Sequence, residues 1–245
     1  MMPGASSRGT MPELTITLSH WAAWAPGISR PSQWARWAPE HPSGEGKPDV
    51  SWLPALQRRR LSPLARSVFH VVNEIAQKHD VSALPTVLAS RHGEIARTQT
   101  LLENLADQAP LSPATFSLSV HNAIGGQLSI ALGNQQPVSS VALGEQGLGT
   151  ALLEAACLQQ DNSPVLVLIY DGPLPNYYQP YCASEPFTWA IALLLGGDGP
   201  RFRLSRGSTS ADTVAQGPQL ARALARGDTH IPLPGARTGW QLERL

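Results

Sequence analysis

The sequence predicts an α/β fold built in layers, and three observations predict it. Residues 165–170 (VLVLIY) and 189–195 (WAIALLL) are apolar without a polar alternation, so they read as strands buried on both faces. Residues 63–78 place Leu64, Val68, Val71, Val72 and Ile75 on one face of a helix, with Pro63 suited to its first turn. Residues 115–156 read as helix, break, strand, tight turn, helix, the grammar of an α/β unit. At 245 residues, one large domain is the default and two small ones are possible.

Taken in order, residues 1–12 read as a disordered start and 13–245 as a single domain. Residues 14–18 alternate Leu, Thr, Ile, Thr, Leu, which is strand periodicity. Trp21, Trp24, Trp34, Trp37 and Trp52 follow around a loop at 39–49. They suit either a docking surface or the packing of a long N-terminal excursion, and packing is the expected role. Arg58, Arg59 and Arg60 precede the 63–78 helix. A short buried strand is expected at 85–90 with TVLAS in its core, a turn at 91–93 and a helix at 94–106.

In the central stretch, residues 123–132 have helical spacing, Asn122 can cap them, Gly133-Asn134 stops them and Pro137 bars a restart. Residues 138–143 read as a strand, 144–147 as a sharp turn and 148–158 as a buried helix containing Cys157. Such a turn presents one side chain beside free helical N–H groups, where negative charge is favoured. The residue there is Glu145. The expected role of its carboxylate is to meet the N–H groups of its own helix. Beyond 170, a Pro- and Tyr-rich loop at 173–186 leads to the strand at 189–195. Residues 202–204 are expected to pair with that strand across 196–199. A last helix at 212–226 is expected to precede a Pro/Gly-rich tail in which His230 lies near a frayed end.

Lys and Arg together number 18, as do Asp and Glu, so there is no basic stripe for nucleic acid. Two separated cysteines offer neither a disulfide framework nor a metal spacing and suit a reducing compartment. No apolar run is long enough to span a membrane, and a cytoplasmic location is expected. No HExxH, Gly-x-Ser-x-Gly or phosphate-binding glycine pattern is present, so no metal and no cofactor are expected. His121 alone near the turn has the residue type of a base, and a structural hydrogen bond is the expected use of it.

The central stretch resembles the β-ketoacyl synthases. Leu111-Ser112-Pro113, Asn122, Gly125-Gly126, Ser129-Ile130, Gly133, Pro137 and the turn at Gly144 follow that family's order without a gap. The resemblance implies a thiolase-like layered fold, with 13–172 as its N-terminal half and 173–245 as a truncated second half. It places the family's cysteine nucleophile on Glu145, and His230 does not match the family's histidine motifs. Within the family these absences resemble the chain-length factors of type II polyketide and aryl polyene systems. The resemblance therefore implies a non-catalytic subunit that pairs with a catalytic ketosynthase, an acyl carrier protein being a further candidate partner. It places Asn122, Val138, Ser139, Ser140, Val141, Ala142 and Leu143 at the partner interface, and Ala114, Thr115 and Phe116 on the wall of the partner's acyl tunnel. Two other readings remain: an autonomous acyltransferase or decarboxylase using Glu145 with His121, and a binding protein that keeps the fold for other contacts.

Overall fold

Among the described residues, eight strands join in one sheet, ordered β3-β2-β4-β5-β1-β6-β8-β7. They are β1 (Leu14–Trp24), β2 (Thr86–Ser90), β3 (Val138–Ala142), β4 (Val165–Asp171), β5 (Trp189–Leu195), β6 (Arg201–Gly207), β7 (His230–Leu233) and β8 (Gly239–Arg244). The computed structural model describes residues 14–38, 44–159, 161–212 and 214–245. The expected disordered start at 1–12 and the first part of the loop at 39–49 lie outside the described residues.

β2 runs parallel to both β3 and β4, and every other pairing is antiparallel. The two apolar runs lie together at the centre, and every residue of β4 and β5 is buried. Because side chains alternate across a strand, β4 serves two helical layers. Leu166, Leu168 and Tyr170 pack under α3 (Pro63–Ala76) and α6 (Ala123–Leu132), with Val68, Val72, Ile124 and Leu128. Val165, Val167 and Ile169 pack on the opposite face, under α7 (Gly149–Leu158) and α8 (Gln216–Arg226).

Ser62 caps α3 by accepting from the Ala65 N–H at 2.9 Å, and Pro63 opens it. Ahead of it lie two short helices, α1 (Pro31–Trp34) and α2 (Ala55–Arg60). The tryptophans pack the excursion down: Trp24, Trp34 and Trp37 are buried, and the Trp34 indole N–H donates to the Ala23 carbonyl at 3.0 Å.

Several elements depart from the sequence expectation. β1 runs on to Trp24 across a register shift between Leu18 and His20. Strand β6 pairs with β1 and β8, not with β5. The reason is that β5 already has β4 on one side and β1 on the other, so the turn at 196–199 must step the chain over β1. Gly196 and Gly197 take positive φ there, and a Cβ on Gly199 would lie 2.3 Å from the Leu18 carbonyl oxygen.

The segment after α8 is sheet rather than tail. Ile231, Leu233, Trp240 and Leu242 alternate inward from β7 and β8, and Pro232 stands on the outermost strand, where a missing N–H is tolerated. His230 accordingly lies in β7, facing Glu243 of β8. The last helix starts later than expected, at Gln216, because the Ala215 N–H is held by a Glu185 carboxylate oxygen at 2.8 Å with Ala215 at φ 55°. Thr213 lies outside the described residues. Cys157 sits on the outer side of α7 and is exposed, not packed, as is Cys182.

Close approach fixes the lower helical layer. A Cβ on Gly149, at the start of α7, would lie 2.2 Å from the Trp240 ring. Gly149→Ala is therefore expected to destabilise the fold by about 1–3 kcal/mol, read as a lowered thermal midpoint. An unchanged midpoint would show that Trp240 moves aside freely.

Candidate functional site

The strand ends at one side of the sheet converge on Ser90, the last residue of β2. Its hydroxyl donates to Asp171 Oδ1 at 2.7 Å and accepts the Gly93 N–H at 2.8 Å. Its carbonyl accepts the Leu143 N–H at 3.1 Å and lies 3.2 Å from His121 Nε2. Ser90 thus ties the ends of β3 and β4 to the approach of α6.

Asp171 also accepts the Arg91 N–H at 3.0 Å. Burial pushes its carboxyl up to about 7, outweighing the hydrogen bonds from Ser90 and Arg91 that pull it down. Glu185 is raised for the same reason, against the Trp189 indole N–H at 3.0 Å and the Ala215 N–H that it accepts. His92 is lowered, first by burial and then by the nearby Arg91.

Glu145 lies in a single 3₁₀ turn, Gly144–Gln146, and not at the start of α7, whose N-cap is Leu148. The sharp turn is present, but Gly147 separates it from the helix. At φ 65°, a Cβ on Gly147 would lie 2.6 Å from the Pro234 carbonyl oxygen, so the β7–β8 connection closes over the turn. The Glu145 side chain, and with it the expected contact to helical N–H groups, lies outside the described structure. His121 makes a hydrogen-bond contact of the kind expected of it. Its ring sits over Gly93, where a Cβ would meet it at 3.4 Å, and its Nε2 faces the Ser90 carbonyl.

Ala114, Thr115 and Phe116 lie on α5 (Pro113–Ser117), which Ser112 caps by accepting the Thr115 N–H at 3.3 Å. Phe116 is 61% exposed, so it is no core residue. Asn122 is exposed and takes the N-cap position of α6, but its side chain makes no cap bond, and the first turn is left to the Asn122 and Val120 carbonyls.

Among the described residues, β3 is the edge of the sheet and pairs only with β2. The Pro137 carbonyl and the Leu143 N–H bond β2, which sets the parity of the strand. The N–H and C=O of Val138, Ser140 and Ala142 therefore point outward, away from β2. Their side chains are exposed too, while Ser139 and Val141 are half-buried. Leu143 lies past the end of the strand and packs in the core, which separates it from the other residues expected at an interface.

The family profile described as "Beta-ketoacyl synthase, N-terminal domain" matches residues 32–241. The chain belongs to this family. Among solved structures, it is similar to a chain of the ketosynthase ApeO in complex with its chain length factor ApeC from Xenorhabdus doucetiae. The identity is 29%, the match covers 94% of this chain and 100% of that one, and the TM-score is 0.81. The ishigamide ketosynthase/chain length factor is similar at 14% identity, over 86% of this chain and 73% of that one, with a TM-score of 0.60. No curated protein matches the chain. The fold is thus the thiolase-like fold of the β-ketoacyl synthases. Among the described residues, no helix is long and apolar enough to cross a membrane, and no three His, Cys, Asp or Glu side chains group to hold a metal ion.

Ser90, Asp171 and Glu185 were not singled out from the sequence. Ser90 and Asp171 are 81 positions apart, and each read simply as the end of a strand. The available signal was one polar residue closing each of two neighbouring buried runs.

Asp171 sets a pH dependence. Between about 4 and about 7 the folded chain holds a proton that the unfolded chain gives up. Its contribution is fully present below about pH 4 and is lost as pH rises through about 7. The thermal midpoint should fall more between pH 5 and pH 8 for the natural chain than for Asp171→Asn. Parallel profiles would show that Asp171 is already ionised in the fold.

Proposed function

We propose that the chain is a non-catalytic, chain-length-factor-like subunit that pairs with a catalytic β-ketoacyl synthase and helps shape its acyl tunnel. The observation that carries this reading is the match to a chain in a ketosynthase–chain length factor complex, which extends over 94% of this chain and all of that one. Two features of the chain support it. By the resemblance of the central stretch, the position of the family's nucleophile falls on Glu145, a carboxylate, where thioester exchange needs a thiolate. The outward backbone groups of Val138, Ser140 and Ala142 offer a ladder for a second strand. Exposed Phe116, with Ala114 and Thr115 on the same short helix, would then present a bulky wall across the seam. An extending chain that overlaps such a wall is penalised by about 1–3 kcal/mol, enough to bias product length. The partner is a ketosynthase, and synthesis of a polyketide or aryl polyene in the cytoplasm is the setting.

The pairing is tested by Ser140→Pro, which removes one outward N–H and leaves the β2 ladder whole. Co-expression with an intact ketosynthase encoded beside it should give a heterodimer by size-exclusion chromatography for the natural chain, and separate chains for the variant. A variant that still pairs would sink the β3 seam. Phe116→Ala should lengthen or broaden the product distribution, and an unchanged distribution removes the tunnel wall. Glu145→Ala should leave product flux nearly intact. Loss of flux with the heterodimer preserved would instead favour an enzyme that uses Glu145.

A further inference from the structure

A cavity of about 300 Å³ opens on the outer helical layer, between α2, α3, α5 and α6. It lies on the opposite flank of α6 from the β3 edge. Gly125, Ser129 and Leu132 of α6 face Val138 of β3, whereas Gln127 and Ile130 face Phe69 of α3. The cavity therefore lies on the far side of α6 from β3, and Ala114 and Ser117 of α5 border it.

Its deep end is apolar and fixed. Phe69 and Leu61 are buried, and Phe69 stacks on Trp52 with ring centroids 6.1 Å apart and planes inclined by 26°. Leu118 and Ile130 continue the wall outward, and Ile130 is left 77% exposed. The polar lining comes chiefly from Gln57, Arg60 and Gln127. Among the described residues, none of these three side chains has a hydrogen-bond or ion-pair partner.

The charge around Arg60 is lopsided. Arg66 and Arg97 each donate to a carbonyl at the end of α2, those of Arg58 and Arg60, so their guanidinium groups are engaged. Glu94, the nearest carboxylate in this network, is taken by Arg97 and Ser62. Among the described residues, the exposed Arg60 guanidinium has no ion-pair partner. An apolar concavity with a few unpartnered polar groups converging on it is the common form of a small-molecule site, and its volume stands at the lower end of that class.

We propose that this cavity binds an unbranched aliphatic carboxylate of medium length, its chain against Phe69 and Leu61 and its carboxylate on Arg60. A planar guanidinium meets a carboxylate through two parallel hydrogen bonds, with Gln57 and Gln127 able to donate to the same oxygens. The apolar surface is gathered into one concavity, which suits a single chain better than the broad area that a stable protein partner needs.

The test is isothermal titration of the full-length chain with decanoate below its micellar concentration. One saturable site is expected. Arg60→Ala and Ile130→Glu change exposed positions, and each should weaken binding by about tenfold or more, as should replacing decanoate with neutral decanol. Arg59→Ala, one position away and outside the cavity, should bind as the natural chain does. Absence of saturable binding would overturn the proposal, as would equal affinity in the two cavity variants. Equal weakening by Arg59→Ala would reduce the effect to diffuse surface charge and overturn it too. Binding of a hexaglutamate peptide in place of decanoate would assign the arginines to a protein-facing surface and do the same. The titration contains no ketosynthase, so its result stands apart from that of the pairing experiment.

Discussion

Burial of β4 and β5 on both faces is the constraint from which the rest of the molecule follows. Strands without a solvent face need a helical layer on each side, so α3 and α6 must cover one and α7 and α8 the other. The helices pack as closely as small residues allow. Gly149 of α7 lies against Trp240, and Gly217 of α8 leaves a Cβ only 2.0 Å from Trp189. The same burial forces polar groups to the strand ends, because a carboxylate inside such a ribbon would have no partner. Ser90 and Asp171 stand at those ends and satisfy each other.

That arrangement bears on the turn after β3. The ends of β2, β3 and β4 are cross-tied by Ser90, and the 3₁₀ turn leaving β3 is closed over by Pro234, which also accepts a hydrogen bond from the Gln216 side chain. The braced turn Gly144–Gln146 follows directly on β3.

The sequence was legible where a pattern is local. The helix read at 63–78, the strands read at 85–90, 138–143 and 165–170, and the break at Gly133 were all readable to within a residue or two from spacing, capping and glycine. Ranges ran wrong where neighbours decide. Nothing local tells β6 to prefer β1, because the choice is made by β5 having no edge left. HIPL and GWQLER looked like a tail because two prolines and two glycines mark loops, yet their buried residues alternate. Ala215 at positive φ delays α8 through a carboxylate 30 positions earlier, which no window reading finds. At the site, the exposure of Phe116 and the open side of β3 could be checked only once tertiary neighbours were placed.

The two borders of the sheet are unlike. One ends in β7, where Pro232 interrupts the outer row of donors and Arg203 and His230 flank Glu243 nearby. The other ends in β3, whose sequence VSSVA has neither proline nor charge. A border interrupted by proline and flanked by charge resists strand addition, whereas an uncharged, proline-free border does not, so any added strand is directed to the β3 side.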